Sequence, residues 1–256
     1  MAKKLIIANW KMNPDSPGRA VRLAREIEKG LIGIKNAEIV IAPPYLFLKD
    51  VSQVLKRAKL GAQNMHWQDI GPYTGEVSWH QLKHLHVTHV IVGHYERRIH
   101  LGETNEMINK KVKAALRAGL IPVLAIGEQK RMPEDAMRLV LLRQLSRGLS
   151  GVSANDFKNG VIAYEPVWAI GTGLAATPQH ARKALGMIQE ILGRIWKTKK
   201  VSTPILYGGS VNSKNAYSFL SPKGGAMHGM LVGGASLKPK EFIKIVQSAA
   251  NLEKNI

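Results

Sequence analysis

The stretch AYEPVWAIGTG, residues 163–173, overlaps an apolar run, VIAYE (161–165), that ends on the carboxylate of Glu165 and is followed by a proline, a tryptophan and two glycines. The run is continuously apolar rather than alternating, which is how a strand covered on both faces of a parallel sheet reads. Seven more runs share the form: LIIA (5–8), EIVIA (38–42), KLGAQ (59–63), THVIVG (88–93), IPVLAIG (121–127), PILYGG (204–209) and GMLVGG (229–234). Helical stretches separate them. Ser16-Pro17 opens one that runs to Lys29-Gly30, and Thr177-Pro178 opens another that runs toward Lys197. A Ser or Thr cap followed by Pro is a start signal because the missing proline N–H would have had no partner. Eight strand–helix units over 256 residues average about 32 residues each. This predicts a single α/β domain, residues 1–256, folded as a closed (β/α)8 barrel.

Composition agrees with a buried core: 45% of residues are hydrophobic and 21% charged, the balance of an ordinary globule. No apolar run approaches the ~20 residues a spanning helix needs. The opening MAKKLIIANW is also too short in apolar residues for a signal-peptide core of ~7–15 residues, so no membrane association is expected and the cytoplasm is the default location. The chain has no cysteine, which excludes disulfides, thiolate metal sites and thiol nucleophiles. Net charge is unusual at +19, from 37 Lys and Arg against 18 Asp and Glu. The basic residues recur on nearly every helical stretch and form a belt without interleaved aromatics. That argues against a specific nucleic-acid module and leaves weak, salt-sensitive polyanion binding and steering of small anions.

Barrel sites are built at the C-terminal ends of the strands. The polar residues found there are Asn9 and Lys11 after the first strand, His94 and Glu96 after the fourth, and Glu165 after the sixth. Together they supply a base, an imidazole and a fixed cation, the parts that proton abstraction beside a carbonyl requires without any cofactor. Gly171, Ser210, Gly233 and Gly234 add positions where backbone N–H groups can approach a phosphate closely. Each residue alone reads as structural; the joint arrangement carries the chemistry.

Seven segments bear a family resemblance: NWKMN (9–13), GAQN (61–64), YTGEVS (73–78), VGHYERR (92–98), AYEPVWAIGTG (163–173), YGGSVN (207–212) and LVGGASL (231–237). In order and spanning almost the whole chain, they resemble the signature segments of the triosephosphate isomerase family, and so imply a TIM barrel. The resemblance implies that Glu165 is the base, His94 a neutral electrophile at the start of a short helix, Lys11 the cation, Asn9 a hydrogen-bond donor and Glu96 the tether of the lysine. It further implies that Gly171, Ser210, Gly233 and Gly234 hold the substrate phosphate and that Pro166 to Ala176 forms a closing lid. Thr74, in the loop YTGEVS, would reach into the partner's site in a homodimer. The substrates would be triose phosphates, with no metal and no cofactor.

Three positions depart from the family pattern. Tyr95 stands where the family carries a serine that holds the glutamate at rest, so its hydroxyl is the expected substitute. His228 and Gln189 stand where an Asp and an Arg are usual, so both members of an ion pair are replaced together. Two other readings compete: a Schiff-base aldolase through Lys11, and a barrel that serves only as a charged binding protein. Gly171, Gly173 and Ala176 fit a dinucleotide spacing, but the helix opens later, at Thr177-Pro178, against that pattern. Seven of the nine histidines lie between His66 and His100. His80 and His84 have a metal-compatible spacing but no HExxH or acidic cluster, and read as surface histidines.

Overall fold

The structure is a computed structural model and describes residues 3–170 and 176–252. Eight parallel strands close in sequence order: β1 (Lys4–Asn9), β2 (Ala37–Ala42), β3 (Lys59–Ala62), β4 (His89–Val92), β5 (Ile121–Ile126), β6 (Val161–Tyr164), β7 (Ile205–Tyr207) and β8 (Gly229–Val232). Closure is by β1 on β8, with Leu5 opposite Gly229 and Ala8 opposite Val232. Around them lie α1 (Pro17–Gly30), α2 (Leu48–Ser52), α3 (Trp79–His84), α4 (Tyr95–His100), α5 (Asn105–Arg117), α6 (Glu134–Gly148), α7 (Pro178–Ile195), α8 (Ala216–Leu220) and α9 (Pro239–Ala250). Among the described residues no helix is long and apolar enough to cross a membrane.

The unbroken apolar character of the strands now has its cause. Leu5, Ile7, Val40, Ile91, Val123, Ala163 and Leu206 pack inside the barrel, whereas Ile6, Ala8, Ile39, Ile41, Val90, Val92 and Ile162 pack outward under the helices. With side chains alternating at period 2, both sets must be apolar. At the N-terminal end of the barrel the interior turns polar. His89 is buried, with Thr88 Oγ1 2.8 Å from its Nδ1, beside the Glu38–Lys59 ion pair at 2.7 Å. Burial pushes the His89 imidazole down to about 4.

The helix starts at Pro17 and Pro178 fall where the Ser-Pro and Thr-Pro signals place them. Thr177 Oγ1 accepts the N–H of His180 at 3.1 Å, while Ser16 makes no side-chain cap. The second helix ends at Ile195, short of Lys197. Several strands are also shorter than their apolar runs: Gln63, Gly93, Gly127, Glu165, Gly208 and Gly233 all lie just past the ladder. There the backbone leaves the sheet to build the mouth, and apolarity continues because burial does.

Candidate active site

Glu165 ends the β6 run and turns inward, held by its own N–H donating to Ile126 O at 2.7 Å. Two neighbouring glycines make this position available. A Cβ on Gly127 would lie 1.8 Å from Glu165 O, and one on Gly208 would lie 2.8 Å from Glu165 Cγ, both closer than atoms can approach. The Glu165 side chain is buried, with Oε1 3.2 Å from His94 Nε2 and Oε2 accepting the Tyr95 N–H at 3.3 Å. Burial pushes its carboxyl above the ordinary carboxylate range, against the opposing pull of His94, the Tyr95 N–H, Lys11 and Arg98.

His94 caps α4: its Nδ1 accepts the N–H of Glu96 at 3.4 Å. With Nδ1 engaged there, Nε2 is the ring nitrogen that faces Glu165 and the mouth. Glu96, one residue into the helix, reaches back to Lys11, with Nζ to Oε1 at 2.7 Å. Burial draws the Lys11 ammonium down, and the Glu96 hydrogen bond and charge more than offset it, leaving its pKa above the ordinary value. Desolvation pushes the Glu96 carboxyl up, but the same Lys11 contacts, with the His94 ring alongside, hold it below its usual range.

Lys11 sits in the left-handed backbone region, with φ of 54°, a strained setting for a residue with a Cβ. It is fixed there from two sides. Its N–H donates to Asn9 Oδ1 at 3.1 Å, and its carbonyl accepts from Gln63 Nε2 at 2.8 Å. With Oδ1 engaged, the Asn9 amide keeps its Nδ2 donor for the mouth.

These groups line one cavity of about 360 Å³, bordered by Asn9, Lys11, His94, Glu165, Ser210, Gly233 and Gly234. Gly233 and Gly234 open a single 3-10 turn, Gly234–Leu237, after β8. The Ser210 hydroxyl donates to Ala169 O at 2.6 Å, so it is tied to the segment after Glu165. Gly171 lies outside the described residues, as does Gly173, together with the centre of the expected lid. Thr74 is exposed on the loop between β3 and α3, away from this cavity. Among the described residues no group of three or more His, Asp or Glu side chains has the geometry to hold a metal ion.

Sequence reading missed three residues that shape the mouth. Glu128 is buried after β5 and collects the Tyr164 hydroxyl at 2.9 Å and the Trp168 indole N–H at 2.8 Å. Tyr207 accepts the N–H of Ala176 at 3.2 Å. Gly208 vacates the space for Glu165. The signal for Glu128 was its place directly after the IPVLAIG run, the same place that exposed Glu165. His228 also has a defined role: its N–H donates to Ile205 O at 2.9 Å and its Nδ1 accepts the Ile205 N–H at 3.0 Å. The ring thus clamps the start of β8 to β7 without the ion pair that Asp and Arg would make, while Gln189 lies half-buried on α7. Burial and then the Lys4 charge lower the His228 pKa, which keeps Nδ1 free to accept.

A closed (β/α)8 barrel that buries a carboxylate against an imidazole, beside a clamped ammonium, defines a barrel enzyme of the proton-transferring class. The chain belongs to the triosephosphate isomerase family, whose model matches residues 4–249. It is 44% identical to the triosephosphate isomerase of Dictyoglomus thermophilum over 252 residues, which is 97% of this chain and 100% of that protein. It is 43% identical to that of Caldanaerobacter subterraneus subsp. tengcongensis, covering 96% of this chain and 99% of the relative. The crystal structure of triosephosphate isomerase from Bartonella henselae superposes with a TM-score of 0.84 at 34% identity, covering 96% of this chain and 98% of that one.

Proposed function

We propose that this chain interconverts dihydroxyacetone phosphate and D-glyceraldehyde 3-phosphate through an enediolate. The observation that carries the proposal is the buried approach of Glu165 Oε1 to His94 Nε2 at 3.2 Å, in a mouth that also presents Lys11. Glu165 takes the proton from the carbon beside the carbonyl and returns it to the neighbouring carbon. His94 donates from Nε2 to the oxygen on which charge develops, and Lys11 and Asn9 stabilise that oxygen. Glu96 holds Lys11 in place. The backbone N–H groups of Gly233, Gly234 and Gly171, with Ser210, receive the phosphate, aided by the positive field of a chain of net charge +19.

Pro166 to Ala176 closes over the intermediate and excludes water; Glu128 and Tyr207 hold the described ends of that segment. The aldolase alternative is disfavoured by the raised pKa of Lys11, since a Schiff base needs the free amine. We also propose a homodimer in which Thr74 reaches the partner's Asn9 and Lys11. In its support, Met12, Leu46, Ile70 and Tyr73 are exposed apolar side chains on the loops after β1, β2 and β3, adjacent strands of one rim.

A coupled triose-phosphate assay on the parent chain and on Glu165→Gln tests the reading. Turnover should appear without added cofactor and fall at least ~100-fold in the variant. Parent-like turnover in Glu165→Gln would remove Glu165 from the role of base, and covalent trapping of Lys11 by borohydride with substrate would favour the aldolase.

A further inference from the structure

We propose that the face opposite the mouth, at the N-terminal ends of the strands, binds the phosphate backbone of double-stranded nucleic acid. The turns that lead into consecutive strands from β6 round to β2 each present an exposed lysine: Lys158, Lys199 and Lys200, Lys223, Lys3 and Lys35. Because the barrel closes in sequence order, neighbours in this series are neighbours in space, and the lysines form one arc. Among the described residues none of the six enters an ion pair, whereas near the mouth Lys11 pairs with Glu96, and Arg97 and Lys111 pair with Glu103. The acidic side chain within these turns is Asp156, and its carboxylate is taken up by the N–H and hydroxyl of Ser153. The positive charge of this arc is therefore not neutralised within its own turns.

The chemistry of the face selects the partner. Ile32 is the large apolar side chain exposed within these turns, which gives a bilayer no wedge to bury. Trp196 is half-buried with its indole N–H donated to Val152 O at 3.0 Å, so it offers no platform on which a single-stranded base could stack. What remains is a set of free ammonium groups, with Lys199 and Lys200 bordering a cleft of about 590 Å³ at the end of α7. Such groups match a regular row of phosphates, and binding is driven by counterion release without base reading.

Fluorescence anisotropy with a labelled duplex DNA of about 20 base pairs, over about 25–200 mM salt, tests this. About five phosphate contacts give a log–log salt slope near −4 to −5. Lys199→Gln/Lys200→Gln should flatten that slope by about 2 and weaken binding about tenfold or more at low salt. Lys130→Gln/Lys240→Gln, on the mouth side, should leave the affinity within about twofold, and both variants should keep triose-phosphate turnover. The proposal is overturned by absence of duplex binding at low salt, by equal losses in the two double variants, or by retention on phosphatidylserine vesicles at a salt that releases the duplex.

Discussion

The backbone N–H of Tyr95 donates to Glu165 Oε2 at 3.3 Å, while the Tyr95 hydroxyl turns away to Glu96 Oε1, also at 3.3 Å. The bulky residue in the serine position therefore leaves the resting contact of the glutamate to the main chain. Its ring lies under the Lys11 ammonium, 5.3 Å from Nζ to the centroid, and adds to the clamp on that cation.

This separates two substitutions at one position. Tyr95→Phe keeps the N–H and loses only the hydroxyl bond to Glu96, so kcat/KM should fall by less than about tenfold with its acid limb unmoved. Tyr95→Pro removes the N–H at the first position of α4, where proline is accepted and where the preceding residue, with φ of −53° and ψ of 139°, already has a pre-proline conformation. Because that N–H favours the ionised carboxylate, its loss should shift the acid limb of kcat/KM to higher pH. An unshifted limb in Tyr95→Pro would show that the amide does not hold the base.

The parent chain should itself show an acid limb above the ordinary carboxylate range. Burial raises the Glu165 pKa, and the base works only when ionised, so activity is present above the folded pKa and lost as pH falls through it. A kcat/KM profile flat down to the ordinary glutamate range would contradict the assignment.

Gly208→Ala should separate folding from catalysis. The added Cβ would lie 2.8 Å from Glu165 Cγ, and relief requires the carboxylate to move. A displacement of this order costs about 100-fold in kcat, with a folded circular-dichroism spectrum. Full activity in the variant would show that Glu165 tolerates the shift.

His89 should make stability fall in acid. Its folded pKa is about 4 and its unfolded value about 6.5, so the unfolded state binds the extra proton between these values. The sign follows: the neutral ring's stability is fully present above about pH 6.5 and is lost progressively toward pH 4. Urea unfolding should show a loss of about 2 kcal/mol from this group between pH 7 and pH 5. His89→Gln should remove that part of the pH dependence; an unchanged dependence would place its origin elsewhere.

Much of the fold was legible because it rests on local rules. A strand buried on both faces must be apolar at every position, and so LIIA, VIAYE and the rest announced a parallel barrel; Ser-Pro and Thr-Pro announced helix starts through a donor that is not there. Glu165, His94 and Lys11 were legible because barrel geometry assigns strand-end residues to one mouth. The tertiary structure decided what depends on distances between remote segments. That Gly208 vacates space for Glu165, that Glu128 gathers Tyr164 and Trp168, and that the Tyr95 amide rather than its hydroxyl meets the base are relations across many tens of residues, with no periodicity in the chain to record them. Charge divides the same way. The sequence determined an excess of +19, but only closure of the barrel turned lysines dispersed from Lys3 to Lys223 into a single arc, because the strand order places successive turns side by side.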